Sequence, residues 1–89
     1  MPSPSSERLV SLPDGVDLHA RPAAQFVRAA MAFEAQIAVA AGDREANAKS
    51  LLAVLSLGAK GGSALTLRAD GDDAPAALET LAGCVATLQ

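Results

Sequence analysis

Residues 18–24 of the chain read Leu-His-Ala-Arg-Pro-Ala-Ala and contain the only histidine, His19. Apolar residues then recur at helical spacing as far as Met31, so a helix is expected to begin near His19 or Ala20. Pro22 fits this start, because proline is tolerated in a first helical turn, where its missing N–H would have no intrahelical partner. His19 is therefore expected at or beside the N-terminal end of a helix.

Such a position favours an anion. The first N–H groups of a helix lack intrahelical acceptors, and the helix dipole places partial positive charge there. Arg21 adds a charged guanidinium suited to phosphate, and the N–H groups of Ala20 and Arg21 would help to hold it. An imidazole at this point can attack phosphorus as a nucleophile. On spacing alone, however, a lone histidine here is more often a cap, a solvated side chain or a packed ring, and Arg21 a solvated surface charge.

Residues 18–27 closely resemble the active-site signature of HPr, the histidine-containing phosphocarrier family of the bacterial phosphotransferase system. Residues 47–58 are similar, in the right order, to the regulatory-serine helix of that family. The resemblance implies that His19 accepts a phosphoryl group on Nδ1 from phosphorylated Enzyme I, which obtains it from phosphoenolpyruvate, and passes it to Enzyme IIA domains for sugar uptake. A protein of this kind is a phosphoryl carrier with no turnover of its own and no cofactor.

A second helix is expected after Ser50, and its residues Leu51, Leu52, Val54, Leu55 and Leu57 leave almost no polar face. A short helix cannot be buried all round in a small domain, so we expect Leu51, Leu52 and Leu55 to form an exposed docking patch. The resemblance points the same way, since HPr meets its partners with this helix. The alternative is that these side chains simply pack on the sheet, which applies best to Val54 and Leu57.

Ser50 is expected to cap the second helix with its hydroxyl, and Gly58 to end the helix. In some bacteria the matching serine of the family is phosphorylated by an HPr kinase/phosphorylase, so the resemblance makes Ser50 a candidate regulatory site. A dianion beside Leu51 and Leu52 would oppose apolar docking on acidic partners. Capping alone explains the serine at least as well.

The other segments predict four short strands, at residues 8–12, 36–40, 44–46 and 64–69, and two longer helices. The first helix is expected to run to about Phe33, and the last to begin at an acidic N-cap among residues 70–73, followed by a first-turn proline. Residues 61–62 are two glycines and predict a hinge-like turn. The core faces of the two long helices are expected to consist, respectively, of Ala23, Phe26, Val27, Ala30 and Met31, and of Ala74, Leu78, Leu81, Val85 and Leu88.

The element order is βαββαβα, which predicts an α+β fold with helices on a single face of one sheet. The resemblance to HPr supplies the topology, an open-faced β-sandwich in which three helices cover a four-stranded, mainly antiparallel sheet. Residues 1–7 are expected to be a disordered tail and residues 8–89 a single domain. We expect the protein to be a monomer.

Composition excludes several other classes of function. A net charge of −3 and an aromatic content of 2% argue against nucleic-acid binding, which needs a basic surface. No apolar run approaches the length of a membrane span, so no membrane insertion is expected. The single cysteine, Cys84, excludes an internal disulfide and fits a reducing cytoplasm. No metal site is expected, because residues 70–73 lack the remaining ligands of a calcium loop.

One departure from the family pattern lies just before the histidine. HPr proteins commonly place glycine directly before the Leu-His pair, whereas Val16 and Asp17 stand between Gly15 and Leu18 here, as if two residues were inserted. A carboxylate turned toward His19 would oppose phosphohistidine, so we expect that of Asp17 to point to solvent. The departure favours an HPr-like paralogue with partners of its own, in a regulatory phosphorelay, as an alternative to sugar uptake.

Two further alternatives belong to other classes of protein. The first is a regulatory binding module of the same fold that never carries phosphate, against which the intact sequence of residues 19–22 argues. The second is an acyl-type carrier with its attachment site at Ser50, but those proteins resemble helical bundles with an acidic residue before the serine. Lys49 holds that place here, and strands are expected.

Overall fold

The computed structural model describes residues 5–89 of the chain. Their elements follow the predicted order βαββαβα. They are β1 (Ser5–Ser11), α1 (Ala20–Ala30), β2 (Gln36–Ala41), β3 (Arg44–Asn47), α2 (Leu51–Ser56), β4 (Ala64–Asp70) and α3 (Ala74–Ala86). The strands form one sheet in the order β1-β4-β2-β3, and each neighbouring pair is antiparallel. The predicted α+β class and open sheet are therefore confirmed.

The alternation of burial along β4 separates the two faces of the sheet. Leu65, Leu67 and Ala69 are fully buried, whereas Ala64 and Arg68 are exposed. Successive strand residues point to opposite faces, so the first three lie in the core and Arg68 lies on the open face. There Arg68 bonds Glu7 of β1, with 3.0 Å between Nη2 and Oε2.

The core is aliphatic apart from Phe26, its largest fully buried side chain. Ala23, Val27 and Ala30 complete the buried face of α1, as predicted. Met31 was expected beside them but is 65% exposed, so that part of the prediction is wrong. The reason is that α1 ends at Ala30 and not near Phe33, which makes Met31 its C-cap residue. The residues predicted as the core face of the last helix are all buried, but Leu88 lies two residues beyond the end of α3 and not within it.

The first strand begins earlier than predicted. It pairs with β4 from Ser5, opposite Asp70, to Ser11, opposite Ala64. The prediction of a disordered tail is therefore wrong for residues 5–7, where β4 supplies backbone partners that no local pattern reveals, while residues 1–4 lie outside the described part of the chain. Among the described residues, no helix has the length and apolar character needed to cross a bilayer.

The acidic N-cap of α3 is Asp73, but its carboxylate makes no capping bond to its own helix. Instead Oδ2 accepts the N–H of Glu34 and Oδ1 that of Ala35, both at 2.8 Å. These bonds, that to Glu34 foremost, lower the pKa of Asp73 below its usual range. Lys49 donates from Nζ to the carbonyl of Phe33. The segment that leaves α1 is thus fixed by two side chains distant in sequence.

Candidate functional site

His19 is the N-cap residue of α1. Its backbone is extended, with φ −127° and ψ 173°, and its carbonyl accepts the first helical bond from the N–H of Ala23 at 2.9 Å. The imidazole makes no capping bond, and the residue is exposed. The ring is therefore accessible to solvent and takes no part in capping the helix.

The first turn of α1 offers hydrogen-bond donors to an anion. Ala20 and Arg21 are the first two helical residues, both exposed, and their N–H groups bond no backbone acceptor within residues 5–89. The third helical residue is Pro22, which has no N–H, so the helix end presents two free donors. No acidic residue lies in this turn. An anion beside His19 would therefore meet two amides and the Arg21 guanidinium without competition from a carboxylate of the same turn.

The loop that leads into His19 is tied to the turn between α2 and β4. Leu18 is 1% exposed, and its N–H donates to the carbonyl of Ala59 at 2.9 Å. Leu12 donates to the carbonyl of Ser63 at 2.9 Å and accepts the N–H of Gly62 at 3.0 Å. The backbone before His19 is therefore held at both ends of its loop.

Asp17 also belongs to this connection. Its Oδ1 accepts the N–H of Gly61 at 2.8 Å, and its Oδ2 lies 3.8 Å from Nζ of Lys60. The carboxylate was expected to point to solvent; its side chain is 51% exposed, but it is bonded to the neighbouring turn. The charge is engaged by groups other than His19.

Gly61 is a site residue that the sequence reasoning missed. A Cβ atom there would lie 2.6 Å from the backbone nitrogen of Gly15 and 2.7 Å from that of Val16, so only glycine fits. The pair of glycines at 61–62 predicted a turn, but the loop that packs against it lies more than forty residues earlier in the chain. No local signal identifies that partner.

The second helix presents part of the predicted docking patch. Leu51 is 43% exposed and Leu52 is 78% exposed, whereas Leu55 is half-buried against the core. Val54 and Leu57 are buried, as the packing alternative expected for those two. Because α2 packs against α1, the exposed leucines lie on a helix adjoining the one that carries His19. Their role in docking stays a prediction.

Ser50 caps α2, as its sequence position indicated. Its Oγ accepts the N–H of Ala53 at 3.3 Å, and the side chain is half-buried. Gly58, with φ +61°, follows the end of the helix in the left-handed conformation typical of such stops. The Oγ atom that accepts this bond is also the atom to which a phosphoryl group would be attached.

The described residues contain no group of three or more histidine, cysteine or acidic side chains that could hold a metal ion. Cys84 lies half-buried on α3, with Sγ 4.0 Å from the carbonyl oxygen of Gln25. Burial raises the pKa of its thiol, which favours the unreactive protonated form. Of these two groups, the imidazole of His19 is the exposed nucleophile and the thiol of Cys84 is not.

The chain is similar to one family of known proteins in both sequence and structure. The family model described as "PTS HPr component phosphorylation site" matches residues 6–87. The phosphocarrier protein HPr of Streptomyces coelicolor is 49% identical over 82 residues, 91% of this chain and 88% of that protein. HPr of Haemophilus influenzae is 46% identical over 72 residues, 81% of this chain and 85% of that protein.

A crystal structure of HPr from Bacillus anthracis superimposes with a TM-score of 0.86 at 38% sequence identity. The match covers 91% of this chain and 96% of the Bacillus protein. The fold, the family match and the extent of these identities lead to one conclusion: the chain belongs to the HPr family, the phosphocarrier proteins of the phosphotransferase system.

Proposed function

We propose that this protein receives a phosphoryl group on His19 from phosphorylated Enzyme I and delivers it to Enzyme IIA domains. The observation that carries the proposal is the exposed, unbonded imidazole at the N-terminus of α1, beside the free N–H groups of Ala20 and Arg21. A nucleophile, an anion site and solvent access coincide there. Family membership supports the choice of phosphate over other anions.

In the forward step the lone pair of one ring nitrogen of His19, Nδ1 by analogy with the family, attacks phosphorus. The new P–N bond forms as the bond between phosphorus and the donor atom of Enzyme I breaks, and that donor atom leaves with the electron pair. Positioning and electrostatic stabilisation dominate such transfers. The guanidinium of Arg21 and two amides stabilise the equatorial oxygens, while exposure to water keeps this binding weak enough for transfer onward.

Docking is assigned to the patch formed by Leu51, Leu52 and Leu55. An exposed apolar surface beside a reactive side chain is typical of a site where a partner protein excludes water from the reaction. Arg21 adds positive charge in the first turn of α1, which favours acidic partners. Both donor and acceptor proteins would approach the same side of the molecule in turn.

The test is incubation with Enzyme I and phosphoenolpyruvate labelled on phosphorus. We expect acid-labile, base-stable label on the wild-type protein, its transfer to an Enzyme IIA domain, and no label on His19→Ala. A folded protein that takes no label, or that retains it in the His19→Ala variant, contradicts the proposal. A labelled protein that donates to no IIA domain would instead support the regulatory phosphorelay.

We further propose Ser50 as a regulatory phosphorylation site for an HPr kinase/phosphorylase. Its hydroxyl adjoins the exposed Leu51 and Leu52, so a dianion would lie within the docking patch. Ser50→Asp is expected to slow phosphorylation by Enzyme I severalfold, while Ser50→Thr keeps a capping hydroxyl and the wild-type rate. Equal rates for all three proteins would contradict this role.

A further inference from the structure

We propose that Asp17 is a positioning residue for His19, acting through a hydrogen bond that joins the His19 loop to the turn before β4. The proposal rests on the function assigned to His19 above and concerns a residue at which this chain departs from the family's usual glycine. It assigns the role to the hydrogen-bond acceptor on Asp17 and not to its charge.

Asp17 makes two bonds that together link His19 to the turn. Its backbone carbonyl accepts the N–H of His19 at 2.9 Å, and its carboxylate accepts the N–H of Gly61 at 2.8 Å. Between them, Leu18 is buried and bonds Ala59. Asp17 and Leu18 are therefore bonded to residues 59–61, and His19 is linked to that turn through Asp17.

The helix holds His19 through its carbonyl, which accepts the N–H of Ala23, so the backbone on the other side of His19 is positioned by the loop. The helix fixes the backbone from Ala20 onward, but His19 itself is extended, and its orientation depends on the loop before it. In-line attack on phosphorus tolerates little error, since a misplacement of about 1 Å can cost a large factor in rate. Holding Asp17 to Gly61 restricts the direction from which His19 enters the helix.

The close approach of the two segments supports a defined geometry. Gly61 lies so near Gly15 and Val16 that no Cβ fits between them. The backbone of the turn therefore packs directly against the backbone of the loop. The ion pair with Lys60 contributes less, because the two side chains are 3.8 Å apart and 78% and 51% exposed. Exposed pairs of this kind are weak and screened by salt.

The experiment compares Asp17→Asn, which keeps an acceptor for Gly61, with Asp17→Ala, which removes it. We expect kcat for phosphorylation by Enzyme I to fall about tenfold in Asp17→Ala, with KM unchanged, and to stay near the wild-type value in Asp17→Asn. The amide resonance of Gly61 should show faster hydrogen exchange in the alanine variant only. Asp72→Ala is the matched control, because this exposed aspartate makes no side-chain bond within residues 5–89 and lies at the opposite end of β4.

Two results would overturn the proposal. An Asp17→Asn variant as slow as Asp17→Ala would assign the effect to charge, and an Asp17→Ala variant with wild-type kcat would remove the role altogether. The exchange of the Gly61 amide is measured without Enzyme I. If the wild-type protein took no phosphate, this signal would still report whether Asp17 holds the turn, so failure of the proposed function remains distinguishable.

Discussion

Around His19, the neighbouring residues contribute donors and positive charge, while the adjacent carboxylate of Asp17 is bonded elsewhere. The third helical position carries Pro22, so the two amides before it are the free donors of this helix end. A phosphorylated imidazole would therefore meet hydrogen-bond donors within the same turn. Exposure to water limits how strongly these groups can bind the phosphoryl group.

Loss of Arg21 tests directly whether the first turn of α1 stabilises the transferred phosphoryl group. We expect Arg21→Ala to slow phosphorylation of His19 about 10- to 100-fold, because one charged donor to the transferred group is removed. Arg28→Ala is the matched control, an exposed arginine in the last turn of the same helix. Rapid-quench measurement of labelled protein provides the rates. Equal slowing in both variants would indicate an effect of net charge on encounter with Enzyme I.

At the scale of single elements, α2 divides its leucines and valine between core and solvent. Leu52→Ser should raise KM for Enzyme I about tenfold without lowering stability, since that side chain is 78% exposed. Val54→Ala, in the same helix, should instead cost about 2 kcal/mol of stability, because Val54 is fully buried. Steady-state kinetics and urea denaturation distinguish the two effects. A Leu52→Ser variant with unchanged KM would remove Leu52 from the docking patch.

Two glycines give opposite predictions for the same chemical change. Gly83 lies within α3 with open space where a Cβ would stand, so Gly83→Ala should stabilise the protein by about 1 kcal/mol. Gly61→Ala should destabilise it by about 2 kcal/mol, because the new methyl group collides with the backbone of Gly15 and Val16. Urea midpoints measure both. Similar shifts for the two variants would mean that the turn can move away from the His19 loop.

At the scale of the whole molecule, Asp73 connects the start of α3 to the segment after α1. Its pKa is lowered in the folded protein, so its contribution to stability is complete above the ordinary pKa of an aspartate, about 3.9. That contribution is lost as the pH falls through the lowered value. Asp73→Asn should therefore unfold at lower urea concentration than wild type at pH 7, and the difference should shrink near pH 3. A difference independent of pH would contradict the assignment.

Whether a contact could be predicted from the sequence depends on how many residues separate its two partners along the chain. Helix starts, the cap at Ser50 and the buried stripe of α3 depend on neighbours within a few positions, and local pattern predicted them. The bonds of Asp17 and Asp73 reach residues about forty positions away, and the pairing of Ser5 reaches β4. Such contacts exist only once the sheet has formed, so periodicity could not reveal them. The exposure of Met31 was missed because the helix end was placed too late.

Because β1 pairs with β4 alone in the sheet, it has no strand partner until β4 has been synthesised. More than fifty residues separate the two strands, which at ordinary ribosomal speed corresponds to about 3–10 s of synthesis. During that interval the nascent chain carries its first strand without a strand partner, while the intervening helices and β2–β3 hairpin are already emerging. Closure of the sheet is therefore a late event in biogenesis, because no other strand of the sheet pairs with β1.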